Sequence, residues 1–169
     1  DVDIAGVRVH AGELVILLHG FGDSKISFAQ CAKFLVPHYR VILPEVPGFG
    51  DTARDEKLDY STRAQAERVH KFFHQIGLQK FHLGGNSMGG HITASYVLLY
   101  PEDVLSITLI DAAGVQVSEG VPYKDADKPA GTPAEFDAYM DKVFVKKPPI
   151  PDSFKRFFIK QAQNNFAWQ

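Results

Sequence analysis

The chain has 169 residues, 45% of them hydrophobic and 12% aromatic, enough for one well-buried core and too little for two typical domains. Its net charge is −2 and its sequence pI about 6.4, with the charges dispersed apart from Lys146-Lys147, so composition implies neither a nucleic-acid partner nor attraction to an anionic membrane. Cys31 is the only cysteine, which excludes a disulfide within the chain and leaves the compartment open.

In chain order, short apolar runs alternate with longer helical patterns, the signature of βαβ units and a mostly parallel sheet. Val7 to His10 reads as an early edge strand. Glu13 to Leu18 reads as a buried central strand ending in His19-Gly20-Phe21-Gly22. Ile26 to Val36 is a helix with Phe28, Cys31, Ala32 and Leu35 at helical spacing, stopped by Pro37. Arg40 to Leu43 is the next strand, followed by the loop Pro44 to Asp51. Ser61 or Thr62 caps a helix whose expected buried stripe is Val69, Phe72, Phe73 and Ile76, with Gly77 after its last turn. Lys80 to Gly84 is a strand, Ser87 to Tyr100 a helix closed by Pro101, and Leu105 to Ile110 a further strand.

Beyond Asp111 the alternation ends. Residues 117 to 131 are rich in Pro, Gly and charge and read as a loop. Thr132-Pro133-Ala134-Glu135 is a helix start, with a Thr cap, Pro at the first position and Glu reaching back. Phe136, Tyr139, Met140 and Val143 follow at helical spacing, and Lys147 to Pro151 breaks that helix. Asp152 is expected to cap the last one, with Phe154, Phe157, Phe158 and Ala162 on one side. The division is therefore residues 1–116 for the α/β part and 117–169 for a separate helical layer.

The strongest chemical signal is Gly85-Asn86-Ser87-Met88-Gly89, followed by Gly90. This is the G-x-S-x-G pattern of a nucleophile elbow, in which a strained strand-to-helix turn lifts a serine hydroxyl above a sheet. Alone the pattern is weak. Here a strand-like run precedes it and a helix-like run follows, and the helix that starts at once aims unpaired N–H groups at a developing oxyanion. Ser87 is thus the candidate nucleophile. The glycines of His19-Gly20-Phe21-Gly22 let a backbone lie close to a ligand, and the N–H groups of Phe21 and Met88 are the candidate oxyanion-hole and substrate-binding donors. His19 is read as a brace for its loop. The loop Pro47-Gly48-Phe49-Gly50-Asp51-Thr52 is read as pocket wall. All three loops follow the C-terminal ends of strands, where open α/β sheets bind ligands.

On these residues the sequence resembles the α/β-hydrolase superfamily, and within it is most similar to the monoacylglycerol-lipase-like serine hydrolases. The matching pieces are HGFG at 19–22, LPEVPGFGDT at 43–52, FHLGGNSMGG at 81–90 and LYPEDVLSITLIDAAGVQ at 99–116. Less specific is the lid-like stretch TPAEFDAYMDKVFVKKPPIPDSFKRFF at 132–158. The resemblance implies a helical cap and hydrolysis of carboxylic esters. No metal or cofactor is implied by the residues, since no Cys/His cluster has ligand spacing and the glycine loops match neither phosphate-binding pattern. The expected substrates are monoacylglycerols or short- to medium-chain acyl esters, cleaved through an acyl-enzyme on Ser87. Where Glu45 stands such proteins usually have Asp, a change expected to matter little. Their catalytic acid and histidine would lie beyond Gln169. No histidine follows His91, and of His10, His19, His38, His70, His74, His82 and His91 only His19 is expected to face Ser87. The chain is therefore read as a fragment or part of a longer protein, whose missing segment or a second chain supplies the base. Asp111, at a strand end, is read as a polar terminator rather than the acid.

Residues 136 to 166 include Phe136, Tyr139, Phe144, Phe154, Phe157, Phe158 and Phe166, a composition that fits an apolar acyl pocket and equally fits ordinary packing. Other readings on the same fold are a carbon–carbon bond hydrolase, a cofactor-free peroxidase or a non-catalytic binding protein; epoxide hydrolases and dehalogenases are disfavoured because they need Asp at position 87. No apolar run approaches the ~20 residues of a spanning helix, and the N-terminus lacks a signal-peptide pattern. A mature chain can have lost a leader, so secretion stays open beside the expected cytoplasm or membrane periphery.

Overall fold

The computed structural model describes residues 3–4, 7–8, 12–115 and 129–166. The chain divides into two compact units, Asp1–Gln116 and Val117–Gln169.

In the first unit, strands β1 (Asp3–Ile4) and β2 (Val7–Arg8) pair antiparallel as a small ribbon. The early strand expected at Val7 to His10 is described at Val7–Arg8, and Val9 and His10 lie outside the described residues. The main sheet contains β3 (Leu14–Leu18), β4 (Arg40–Ile42), β5 (Phe81–Asn86) and β6 (Val104–Ile110), in the order β4-β3-β5-β6 and parallel throughout. Each parallel step needs a crossover. The helices α1 (Ala29–Leu35), α2 (Thr62–Gln75) and α3 (Met88–Leu99) supply them. Ile16 and Leu18 of β3 are fully buried, as are Phe81 of β5 and Ile92 and Tyr96 of α3. Burial on both faces is why β3 reads as an unbroken apolar run.

The helical faces depart from the expected stripes in instructive ways. Ser61 Oγ accepts from Ala64 N–H (3.3 Å) and caps α2. The buried face of α2 is Gln65, Ala66, Val69 and Phe73, whereas Phe72 and Ile76 are half exposed. A helix packed along one narrow line buries i, i+4 neighbours and leaves the flanking apolar residues outside. The first predicted helix begins as a 3-10 turn (Lys25–Phe28); Phe28 is buried and Cys31 exposed. Strand β5 runs two residues further than expected, straight to the glycine-rich turn.

In the second unit, Thr132 Oγ1 accepts from Glu135 N–H (3.2 Å) to cap α4 (Pro133–Val143). The Glu135 carboxylate accepts from Gly131 N–H (2.7 Å), one residue before the cap. Helix α5 (Asp152–Phe166) starts on the carbonyl of Pro151, which accepts from Lys155 N–H (3.1 Å), so Asp152 lies inside it rather than capping it. Asp152 instead pairs with Lys155 (3.2 Å). Within this unit Met140 and Ile159 are buried, while Phe154, Phe157 and Phe158 are exposed. Residues 117–128 of the loop predicted at 117–131, and the side chains of Val143 and Phe166, lie outside the described residues.

Candidate active site

Ser87 stands between the last residue of β5 and the first of α3 with φ 51° and ψ −114°. A non-glycine residue at positive φ is strained. Three bonds to the last residue of β6 and the turn after it hold this conformation. Ser87 N–H donates to Ile110 O (3.0 Å), Ala113 N–H donates to Ser87 O (3.0 Å), and Asn86 Nδ2 donates to Ile110 O (3.3 Å). Ser87 O also accepts from His91 N–H (3.1 Å) as α3 begins. Sequence reading missed this clamp from residues 110–113, because main-chain partners leave no side-chain signature.

The flanking glycines are required by contact. A Cβ on Gly85 would lie 2.2 Å from Gly89 O, and one on Gly89 would lie 2.1 Å from Leu18 O. A Cβ on Gly90 would meet Ala112 Cβ at 2.6 Å. The turn therefore presses against both the end of β3 and the end of β6. Gly20 packs on it as well: a Cβ there would lie 3.0 Å from Asn86 Oδ1 and 3.5 Å from Ser87 Cβ. The loop carrying Phe21 is thus brought directly beside Ser87. Met88 is the first residue of α3, where N–H groups have no partner inside the helix and the helix dipole is positive. The side chain of Phe21 is exposed and meets Phe49 edge-to-face at 5.5 Å.

His19 is fully buried. Its Nε2 accepts from Val46 N–H (3.0 Å). The ring proton is therefore assigned to Nδ1, which donates to Gly20 O (2.8 Å). The ring ties the 19–22 loop to the 44–52 loop. Glu45 Oε2 also lies 3.3 Å from Nε2, a contact that cannot be a hydrogen bond in this tautomer. The Glu45 charge is met instead by Lys25, through Nζ to Oε1 (3.0 Å) and backbone N–H to Oε2 (3.2 Å). Hydrogen bonds to Asp51 and Glu45 push the Lys25 ammonium pKa up, and the same Lys25 contact holds Asp51 below the usual carboxylate range. Glu45 also fills the space beside Gly50, whose φ is +54° and where a Cβ would lie 2.1 Å from Oε2. Glu45 is therefore a structural anchor of the 44–52 loop. Thr52 Oγ1 accepts from Gly48 N–H (2.8 Å) and donates to Phe49 O (2.6 Å), closing the loop. Pro47 and Thr52 line a cleft of about 450 Å³ with Ile42, Leu43, Val69 and Phe72; Ser87 is not in its lining.

The other histidines go elsewhere. His82 meets Ser106 (2.8 Å) and Glu13 (3.2 Å). His91 lies against Gly114, where a Cβ would come within 2.7 Å of its ring. His70 and His74, expected only on a helix flank, converge with Tyr96 on Asp103. Among the described residues, then, Ser87 and the 19–22 loop come together with no histidine hydrogen-bonded to the serine. Asp111 ends β6 in a left-handed turn, φ 44°, and is exposed.

A family model described as alpha/beta hydrolase fold matches residues 13–164. The chain belongs to the alpha/beta hydrolase fold family. As a member of that family it is similar to Lipase 1 of Psychrobacter immobilis, 35% identical over 92% of this chain and 51% of the relative. It is also similar to the monoacylglycerol lipase ABHD6 of Mus musculus, 37% identical over 64% of this chain and 33% of the relative. Among solved structures, a membrane phospholipase A described as a bacterial virulence factor superposes with a TM-score of 0.84 at 37% identity. That match covers 93% of this chain and 53% of the other. A meta-cleavage product hydrolase from Pseudomonas fluorescens shares the fold, with a TM-score of 0.80 at 24% identity over 94% of this chain and 61% of that one. The chain spans about half the length of the first two curated relatives it matches. No helix among the described residues is long and apolar enough to cross a membrane.

Proposed function

We propose that the whole protein is a serine hydrolase of carboxylic esters, with Ser87 as its nucleophile. The observation that carries this reading is the strained Ser87 backbone, φ 51° and ψ −114°, at a turn where strand passes directly into helix. That geometry raises Oγ clear of both elements. The packing of Gly20 against Ser87 supports a role for the adjacent Phe21 N–H as one oxyanion donor, with Met88 N–H as the other.

In this reaction Ser87 Oγ attacks the acyl carbon, and the carbonyl oxygen takes up negative charge between the two N–H groups. A histidine outside residues 1–169 removes the serine proton and returns it to the departing alcohol. Water then releases the acid from the acyl-enzyme. Monoacylglycerols or short- to medium-chain acyl esters are the substrates that fit; the names of the lipase relatives support a lipid ester. Residues 117–169 are read as the cap, and the aromatics Tyr139, Phe154, Phe157 and Phe158 give that unit an exposed apolar surface.

A series of p-nitrophenyl esters and a monoacylglycerol, assayed on the whole protein, tests the reading. Turnover should favour acyl chains longer than acetate, and Ser87→Ala should lower kcat at least about 10³-fold. Best turnover on acetate would remove the apolar acyl site, and undiminished turnover in Ser87→Ala would remove the nucleophile.

A further inference from the structure

At the far end of α3 from Ser87, roughly 18 Å along a helix of this length, three polar side chains meet around one carboxylate oxygen of the buried Asp103. His70 and His74 project from one face of α2, a single turn apart. Asp103 comes from the short 3-10 turn Pro101–Asp103 that joins α3 to β6. We propose that His70, His74 and Asp103 bind one divalent transition-metal ion of the zinc type.

The geometry is close to that of a loaded site. His70 Nδ1 lies 3.1 Å and His74 Nε2 3.0 Å from Asp103 Oδ2, and the three donor atoms all fall within 4.8 Å of one another. In a tetrahedral zinc site with bonds of about 2.0–2.1 Å, neighbouring donor atoms are about 3.3–3.4 Å apart. The two His–Asp spacings therefore need to change by only a few tenths of an ångström, while the two imidazole nitrogens, no more than 4.8 Å apart, close in by rotation of the half-exposed His74 ring. Two imidazoles and one carboxylate are a donor set that suits zinc and its neighbours rather than magnesium or calcium.

The surroundings fix the donors. The His70 ring stacks on Tyr100 at 3.6 Å and 4°. The Tyr96 hydroxyl donates to Asp103 Oδ2 (2.7 Å). This is the outer hydrogen bond that orients a ligating carboxylate. His74 is 45% exposed, which gives an ion a path in and leaves a fourth position for water.

Without metal, both rings donate N–H to the same oxygen. On binding, His70 moves its proton from Nδ1 to Nε2 and His74 from Nε2 to Nδ1, exchanging with solvent. For neutral rings no net proton is released. A +2 ion then replaces two shared hydrogens beside a single negative charge, and it ties α2 to the α3–β6 turn. The sequence contains the pair at one-turn spacing, but the third donor lies 29 residues further on, so the set was not recognised as a cluster.

Isothermal titration of the chelator-treated chain with Zn²⁺ tests this, with Co²⁺ absorption as a geometric readout. One equivalent should bind, and His74→Gln should weaken it at least about 10-fold. His74 is half exposed, so this variant keeps the fold. His82→Gln, at a separate pair, and Ser87→Ala should bind as the unmodified chain does, which makes the result independent of the proposed nucleophile. No saturable binding below about 100 µM, or undiminished binding in His74→Gln, would overturn the site.

Discussion

Gly89→Ala isolates the packing that builds the strained turn. A Cβ at Gly89 would lie 2.1 Å from Leu18 O, 2.7 Å from Leu18 C and 2.5 Å from His19 O, all main-chain atoms. These atoms cannot swing away, because β3 is paired on both sides, Leu18 to Gly85 and Ile16 to Ile42. Relief requires a displacement on the order of 1 Å, either of the turn or of the 19–22 loop. Overpacking of this kind costs up to about 3 kcal/mol, or roughly 6–12 °C in Tm for a chain of this size. The control is Gly22→Ala: its φ is +71° with nothing within 4 Å of the added Cβ. Only the left-handed backbone penalty of about 1 kcal/mol applies there, or roughly 2–4 °C. Thermal unfolding followed by circular dichroism separates the two. Equal melting temperatures for the two variants would refute the claim that the turn is wedged against β3.

Tyr96→Phe removes a hydrogen bond to a buried carboxylate and should cost about 1.5–3 kcal/mol in denaturant unfolding. Thr93 is fully buried and its hydroxyl is without a partner among the described residues. Thr93→Val should therefore be neutral or stabilising by up to about 1 kcal/mol in the same assay. In the helical unit, the hydrogen bond from Lys155 (2.7 Å), aided by Lys147, holds the Asp137 carboxyl below its ordinary 3.8. A depressed folded pKa stabilises above the unfolded value and loses that contribution as pH falls through the folded one. Melting should thus weaken below about pH 4, and Asp137→Asn should flatten that part of the profile. Leu105, Ile107 and Leu109 are exposed along β6, which among the described residues has a neighbour on one side only. Residues 1–169 alone should therefore associate with rising concentration in sedimentation, and Ile107→Lys should reduce it.

What was legible in the sequence had a local cause. The G-x-S-x-G run reads correctly as a strand-to-helix turn because its glycines answer short-range contacts, and Thr132 and Ser61 cap the helices they precede. The buried run at Leu14–Leu18 announced a central parallel strand. What failed depended on distant partners. Phe72 and Ile76 fit a helical stripe, yet the neighbours of α2 cover only its 65/66/69/73 line. Glu45 could not be recognised as an anchor until Lys25, His19 and Gly50 were placed around it. Likewise Asp103 looks like a polar turn residue until α2 brings His70 and His74 onto it.

The most direct test of the Ser87 assignment is peptide mapping after treating the whole protein with a fluorophosphonate. The account predicts a single adduct on the peptide containing Ser87, absent in Ser87→Ala. An adduct on another residue, or one that survives Ser87→Ala, would contradict it.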